Sequence, residues 1–227
     1  MMNINLYYLR SSLLDFFFPR FCVACEKQIT EWESAICLPC FWSMPRYSAL
    51  QMDHLRSKFW GKVKIHGVFA YLKFQKGNAV QDVLHAIKYK NQRELAIWLG
   101  QSMGREFFWN VDAIVPIPLH KDKWKTRGFN QAACLALGIS KIWNVQIRAD
   151  LLLKKRNTVT QTKSGGRLSR FLNLQKAFVG VPQENIPQRV LLVDDVLTTG
   201  ATLEAASVVL LGLGVKEVYI ACLAAAD

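Results

Sequence analysis

The stretch that most constrains the fold of this chain is residues 189–206, with the sequence RVLLVDDVLTTGATLEAA. Its residues 190–193 form a continuous apolar run, which predicts a short strand buried on both faces. A loop of small residues follows, and a helix is predicted to start near Ala201 and to end near Gly212 or Gly214. This order places the loop residues at the carboxyl end of a strand.

Two adjacent carboxylates, Asp194 and Asp195, directly follow this strand. Ligands of open α/β sheets bind at the carboxyl ends of strands, and a helix N-terminus attracts phosphate. The loop also has hydroxyl donors and a flexible glycine, namely Thr198, Thr199, Thr202 and Gly200. The loop is therefore suited to hold a ribose through its diol and a phosphate through its backbone. The alternative is a buried strand, a turn with a capping threonine, and two solvated aspartates.

Four cysteines near the N-terminus form the pattern CxxC-x11-CxxC: Cys22, Cys25, Cys37 and Cys40. Two such knuckles can bring four thiolates to one tetrahedral zinc, and a four-cysteine site leaves no open position for chemistry. The segment up to Ser48 buries little core, so metal binding would supply much of its folding free energy. We therefore predict a structural zinc site, with two disulfides or a redox pair as the alternatives.

The composition indicates a folded protein with an anionic partner. The chain has 227 residues, of which 51% are hydrophobic, enough for one ordinary domain and a small one. Its formal charge is +12, which favours polyphosphate, nucleic acid or an acidic lipid surface. A basic but merely solvated surface is the alternative, because net charge alone identifies no partner.

The first 20 residues are apolar in patches, but Arg10 and Asp15 interrupt them. We interpret them as an amphipathic helix that packs on the body, not as a signal peptide, since a small-residue cleavage site is missing. Docking to a partner or peripheral membrane association is the alternative. No apolar run is long enough to span a bilayer. We predict a cytoplasmic protein, and in such a chain the six cysteines favour metal binding or buried thiols over disulfides.

The remaining sequence predicts strands that alternate with helices from Val111 onward, which is typical of a parallel α/β sheet. Cys134 and Cys222 lie in apolar settings and are expected to be core thiols. Residues 44–64 resemble a linker of mixed charge. The predicted strands are 65–74, 111–120, 176–180 and 215–225, and the predicted helices are 78–90, 93–109 and one from near Asn130.

Two further segments are basic. Residues 121–127 are predicted to be a loop that binds a second anionic group, here a pyrophosphate, although a solvated charge run is the alternative. Residues 151–173 are strand-like and then rich in Thr, Gly and Arg, and they could close over a polyanion. The cations of the second segment are Lys154, Lys155, Arg156, Lys163 and Arg167.

Taken in order, these pieces resemble the ComF family of phosphoribosyltransferase-like proteins. The matching motifs are the cysteine-rich N-terminus, VPIPLH, RGFNQA, a basic QT…R…N segment, AF and VLLVDDVLTTGAT, which together cover nearly the whole chain. The last motif is similar to the 5-phosphoribosyl 1-pyrophosphate (PRPP) signature of type I phosphoribosyltransferases. The family is associated with uptake and use of external DNA, including natural competence.

The resemblance implies roles for individual residues. Asp194 and Asp195 would contact the ribose hydroxyls, and Mg²⁺ would bridge pyrophosphate and ribose oxygens. The 5-phosphate would bind Val196, Leu197, Thr198, Thr199, Gly200, Ala201 and Thr202. The pyrophosphate loop and a flexible loop at 158–166 would involve Leu119, His120, Lys121, Arg127, Arg156, Lys163 and Arg167.

The expected architecture is a type I phosphoribosyltransferase-like parallel sheet flanked by helices, with a small zinc-ribbon-like domain. The small domain would span 1–50 and the larger one 51–227, with hood elements at about 65–110 and a core at 111–227. The first hypothesis for function is an enzyme that transfers phosphoribose, with the acceptor and any catalytic residue unassigned. The second is a PRPP-sensing module whose basic surface and zinc knuckle bind single-stranded DNA or a DNA-uptake partner. Trp124 between Lys123 and Lys125 would suit base stacking, with simple packing of this ring as the alternative.

Overall fold

The computed structural model describes residues 19–30, 33–155 and 177–226, and of Lys121 only the backbone. The strands are β1 Gly67–Lys73, β2 Ala113–Pro116, β3 Leu152–Lys154, β4 Phe178–Gly180, β5 Arg189–Leu197 and β6 Glu217–Ala225. The helices are α1 Leu38–Ser43, α2 Ala49–Ser57, α3 Ala79–Tyr89, α4 Arg93–Glu106, α5 Lys121–Arg127, α6 Gln131–Trp143 and α7 Ala201–Gly212.

The main sheet has four parallel strands in the order β1-β6-β5-β2. Strand β5 lies inside this sheet, with Val193 beside Ala221 of β6 and Pro116 of β2. The apolar run 190–193 is fully buried, as expected for a strand covered on both faces. The predicted parallel α/β sheet is thus confirmed. Strands β3 and β4 form a separate antiparallel pair.

Helices cover both faces of the main sheet because successive strand residues point to opposite sides. Residues such as Leu191 and Val193 pack with apolar residues of α3, α4 and α6. Val190 and Leu192 belong to the other core, together with apolar residues of α2, α7 and the β3–β4 pair. The sheet is therefore the middle layer of three.

Helices α4 and α6 approach closely through two glycines. A Cβ on Gly138 would overlap the backbone carbonyl oxygen of Ile97, and one on Gly100 would overlap that of Leu135. Because backbone atoms cannot yield as a flexible side chain can, any larger residue here would push the helices apart.

Residues 44–64 do not form the predicted linker. Ser48 and Gln51 make a capping box at the start of α2, and Leu55 and Phe59 are buried in the core. The capping signal and two apolar residues one helical turn apart explain why this stretch is helical and packed.

The predicted basic loop at 121–127 is also wrong, since these residues form α5. His120 caps its N-terminus by accepting a hydrogen bond from the Asp122 amide, and Gly128 ends it with a φ of 74°. Lys and Arg are good helix formers, and the left-handed conformation at the helix end favours glycine.

Other predicted elements are confirmed with shifted ends. The helix expected to reach residue 109 ends at Glu106 because Phe107 is extended and its ring stacks on Phe69 at 4.0 Å. The strand expected over 111–120 is limited to Ala113–Pro116. Strand β1, in the segment assigned to the hood, is an edge strand of the main sheet. The division of the chain near residue 50 stays a proposal.

The N-terminal segment 1–18 and the basic residues 156–176 lie outside the described residues. The amphipathic helix, the flexible loop at 158–166 and the proposed roles of Arg156, Lys163 and Arg167 therefore stay predictions. In the part of the chain that the structure describes, every helix is too short or too polar to cross a bilayer.

Candidate functional site

Two carboxylates lie at the carboxyl end of β5, where the sequence predicted them. Asp194 accepts a hydrogen bond from the Asp195 amide at 2.8 Å, and the Lys88 Nζ atom lies 3.1 Å from Asp195 Oδ2. Burial and the neighbouring charge of Asp195 raise the pKa of Asp194 to about 7, although Lys88 and Lys154 oppose this shift. Asp194 therefore changes charge close to neutral pH.

The loop after these acids leads into the N-terminus of α7. Gly200 is its N-cap with a φ of 81° and has no side chain to cap the helix, and the Ala201 amide donates a long hydrogen bond to Thr199 Oγ1 at 3.4 Å. A Cβ at Gly200 would lie 3.1 Å from the Phe59 ring, so the loop packs tightly on residues after α2. Thr198 and Thr199 are exposed, while Leu197 is buried, so only the backbone of Leu197 is able to meet a ligand. The free N–H groups of the first helical turn suit a phosphate.

A cavity of about 260 Å³ lies beside the carboxylates and is lined by four cations. These are Lys88, Lys123, Arg127 and Lys154. The pKa of Lys154 is lowered, first by burial and then by the charge of Lys123, with Arg127 adding to the effect and Asp194 opposing it. Positive charge is thus concentrated here beyond what the two carboxylates neutralise, which favours a polyanion.

Hydrogen bonds and a ring contact position the residues that line this cavity. Arg127 donates to Gln131 Oε1 at 3.0 Å, and its guanidinium lies 5.9 Å from the centre of the Tyr89 ring. Asn130 donates to the Ile117 carbonyl at 2.9 Å and so fixes the turn after β2. These contacts connect α3, α5 and α6 around the cavity.

The structure brings together most of the predicted site residues. Asp194, Asp195, Val196 and Thr202 line the cavity together with Leu119 and Arg127. Val196, Leu197, Thr198, Thr199, Gly200, Ala201 and Thr202 line an adjoining recess with Asp194.

His120 is placed differently, because its side chain caps α5 and does not line either space. Its Nδ1 atom lies 3.1 Å from Asp122 Oδ2, and its buried Nε2 atom has no hydrogen-bond partner among the described residues.

Sequence reasoning missed three polar residues of the cavity as site residues, namely Lys88, Asn130 and Gln131. Lys88 was counted only within a predicted hood helix. Its position at the C-terminal end of an amphipathic helix carries no local signal of its distant partner, Asp195. For Asn130 and Gln131, the RGFNQA motif itself was a usable signal, since it follows the VPIPLH strand.

The four N-terminal cysteines form a cluster that could hold a metal ion. Their Sγ atoms all lie within 4.8 Å of one another, and those of Cys25 and Cys37 are 3.7 Å apart. Tetrahedral zinc with Zn–S bonds of about 2.3 Å requires S–S distances of about 3.8 Å, so the donor set fits zinc.

The pKa values of the cysteines also favour a bound cation. Burial would raise the pKa of Cys22, but hydrogen bonds from the amides of Cys37 and Ala24 outweigh it, and the pKa is about 7. Burial and the neighbouring cysteines raise the pKa of Cys40. A bound cation would remove this mutual repulsion between thiolates.

The phosphoribosyl transferase domain family matches residues 85–227, which is more than half of the chain. Competence protein F of Haemophilus influenzae is 28% identical over 214 residues, covering 88% of this chain and 87% of that protein. DNA utilization protein YhgH of Escherichia coli K12 is 30% identical over 150 residues, covering 62% of this chain and 65% of that protein.

Among solved structures, a glutamine PRPP amidotransferase from B. subtilis in complex with ADP and GMP aligns with a TM-score of 0.44 and 17% identity. The alignment spans 58% of this chain and 26% of that one. The family match includes the acidic loop at 194–202, and the named relatives agree with the resemblance that the motifs indicate. This chain belongs to the phosphoribosyltransferase domain family, and within it to the ComF group of phosphoribosyltransferase-like proteins.

Proposed function

We propose that this protein binds PRPP at the carboxyl end of β5 and serves the uptake or use of external DNA from the cytoplasm. One observation carries the proposal: a carboxylate pair, a helix N-terminus and a wall of four cations meet at one edge of the sheet. PRPP has a ribose diol, a 5-phosphate and a pyrophosphate, which are the groups that these three features suit.

In this proposal each part of PRPP is bound by a different group of residues. Asp194 and Asp195 accept hydrogen bonds from the ribose hydroxyls, and the loop 196–202 surrounds the 5-phosphate with backbone N–H groups and threonine hydroxyls. The pyrophosphate lies against Lys123, Arg127 and Lys154. Mg²⁺ prefers oxygen ligands and would neutralise the pyrophosphate, with the two aspartates as the nearby carboxylates.

The reaction that this arrangement suits is displacement of pyrophosphate by a nucleophile at the anomeric carbon. The bond from the anomeric carbon to the pyrophosphate oxygen breaks as the bond to the acceptor forms, and the electron pair leaves with pyrophosphate. Positive charge develops on the ribose, and cations stabilise the leaving group. No side chain has to attack, so positioning and electrostatics carry the rate.

The role in DNA metabolism rests on the names of the relatives, Competence protein F and DNA utilization protein YhgH. None of the six cysteines, all of which lie in the described residues, forms a disulfide, which supports the proposed cytoplasmic location.

Ligand-dependent thermal unfolding tests the proposal. PRPP with Mg²⁺ should raise the melting temperature of the wild-type protein, because a ligand that binds only the folded state stabilises it. The double variant Asp194→Asn, Asp195→Asn should lose this rise, whereas Asp53→Asn, an exposed aspartate on α2, should keep it. Absence of a rise in the wild type would refute PRPP binding. If the wild type shows the rise, pyrophosphate release with a panel of bases decides between an enzyme and a sensor.

A second function, binding of single-stranded DNA, is supported by the surface of α5. Trp124 is half exposed between the exposed Lys123 and Lys125. An exposed aromatic ring among cations suits base stacking combined with phosphate attraction.

The salt dependence of DNA binding tests this function. Each phosphate contact should contribute about −0.7 to the slope of log affinity against log salt. Lys125→Glu should flatten the slope, whereas Trp124→Ala should weaken binding without changing the slope, since stacking releases no counterions. Equal affinity at low and high salt would exclude the phosphate contacts.

A further inference from the structure

Lys88 is the cation of the cavity that lies closest to a carboxylate. It belongs to the last turn of α3, and its Nζ atom is 3.1 Å from Asp195 Oδ2. The exposed fraction of the side chain is 22% for Lys88 and 17% for Asp195. The pair is therefore held inside the site and not on the open surface, where an ion pair contributes little.

The hydrogen-bonding capacity of this pair is only partly used. A lysine ammonium has three N–H donors, and an ionised carboxylate accepts at about four lone-pair positions. In the described structure the ammonium has one partner, Asp195. Lys88 therefore has donors left for a ligand, and Asp195 has acceptor positions left for a ribose hydroxyl.

Lys88 lies near only one of the two places where the anionic groups of PRPP are proposed to bind. The recess around the N-terminus of α7 is lined by residues of 194–203 and does not include Lys88. Lys88 instead lines the cavity that contains Leu119, Lys123, Arg127 and Lys154. It thus lies on the side of the two aspartates where the pyrophosphate is proposed to bind.

The other three cations of the cavity make no ion pair with any carboxylate of the described residues. Like charges gathered in a partly buried cavity repel one another, and a polyanion removes this repulsion. Lys88 differs from them in already having a carboxylate partner, so it is able to connect the sugar-binding part of the site with the anion-binding part.

We infer that Lys88 is a PRPP-contacting residue whose ammonium bridges Asp195 and the pyrophosphate. The inference rests on the proposed PRPP site and deepens it, since it assigns to α3 a contact with the leaving group. Lys88 keeps its hydrogen bond to Asp195 and donates a second one to a pyrophosphate oxygen. A residue of α3 thereby contacts Asp195 and stabilises the group that departs.

Calorimetric titration of the full chain with PRPP, ribose 5-phosphate and inorganic pyrophosphate, each with Mg²⁺, tests the bridge. The variants are Lys88→Met, Lys88→Arg and, as a matched control, Lys90→Met. Lys90 lies two residues further on and lines a different space with Cys25, Glu26, Asp82 and His85. Melting curves without ligand establish that each variant is folded.

We expect Lys88→Met to weaken PRPP and pyrophosphate binding by about ten- to a hundredfold, as for loss of a hydrogen bond between charged groups. Ribose 5-phosphate should bind within about twofold of the wild type, and Lys88→Arg should recover part of the loss. Equal weakening of PRPP and ribose 5-phosphate would overturn the bridge, leaving Lys88 as a positioning residue for Asp195. PRPP affinity of Lys88→Met equal to that of Lys90→Met would also overturn it.

The outcomes separate this inference from the function on which it rests. If the wild-type protein binds none of the three ligands, the proposed function fails. If it binds PRPP and Lys88→Met binds it equally well, only the bridge fails.

Discussion

Asp194 combines burial at the end of a central strand with a second carboxylate beside it. Both effects disfavour its charged form, and they raise its pKa from 3.8 to about 7. The folded protein therefore binds a proton at Asp194 over a pH range in which the unfolded chain has lost it. Placing two acids where a sugar diol could be held therefore carries an unfavourable desolvation and charge-repulsion energy.

The first prediction concerns the pH dependence of stability. Because the folded state holds the extra proton, the contribution of Asp194 to the free energy of unfolding should fall as pH rises from about 4 to about 7, by at most about 1.4 kcal/mol per pH unit. Above about pH 7 this contribution should stay constant. Urea unfolding at several pH values gives the free energy of unfolding of the wild type and of Asp194→Asn. The difference between the two values at each pH measures the contribution of Asp194.

The exposed-aspartate variant Asp53→Asn provides the control, since its unfolding free energy should follow that of the wild type. A constant difference between wild type and Asp194→Asn from pH 4.5 to 7.5 would show that the pKa of Asp194 is not raised.

The loop 196–202, where a phosphate is proposed to bind, packs against a segment that is distant in sequence. Lys58, which follows α2, donates to the Thr198 carbonyl at 2.9 Å and to the Ala226 carbonyl at 2.6 Å. The ring of Phe59 lies against Gly200. The segment after α2 therefore packs against one side of the loop, and Lys58 connects the loop to the residue that follows β6.

The second prediction is that Lys58→Met weakens the binding of PRPP and of ribose 5-phosphate alike. Both ligands carry the phosphate that the loop is proposed to bind, and the loop would lose a charged hydrogen-bond donor. The loss should also lower the free energy of unfolding by about 1–3 kcal/mol. Calorimetric titration and hydrogen exchange of the amides at 198–202 measure these effects.

Lys64→Met is the matched control because Lys64 is an exposed lysine of the same segment. The assignment of Lys58 to the loop would be wrong if its replacement weakened pyrophosphate binding as much as ribose 5-phosphate binding.

At the scale of the whole molecule, the cysteine cluster and the α/β body share one apolar core. Cys22 and Phe41 are buried in the same cluster as residues of α3, α4 and α6. The Phe41 ring lies 4.6 Å from Trp98 and 5.1 Å from the Arg46 guanidinium, which also stacks on Tyr71. A loss of order at the cysteines would therefore reach the body of the protein.

The third prediction is that the purified protein contains about one zinc ion per chain and that chelation lowers its melting temperature, because binding of the metal is coupled to folding. Cys37→Ser and Cys40→Ser should each lose the metal. Cys134→Ala should keep it, since Cys134 is buried in the core away from the cluster. Elemental analysis of reduced protein gives the metal content, and its absence there would contradict the zinc site.

The sequence alone was sufficient wherever a structural feature depends on neighbours in the chain. The strand, two acids, threonine-rich loop and helix at 189–206 were predicted because backbone conformation and helix capping are decided within a few residues. The four cysteines were predicted as one cluster because metal-ligand spacing is also a local property. The family resemblance rested on these same motifs.

The tertiary structure decided what depends on residues far apart in sequence. It placed β1 at the edge of the main sheet and made 44–64 a packed segment in which Lys58 donates to the Thr198 carbonyl. It also brought Lys88 to Asp195. A lysine at a helix end has the same local pattern whether it meets solvent or a buried acid. Its partner is set by how α3 packs on the sheet, and packing is a property of the whole chain, not of any window of it.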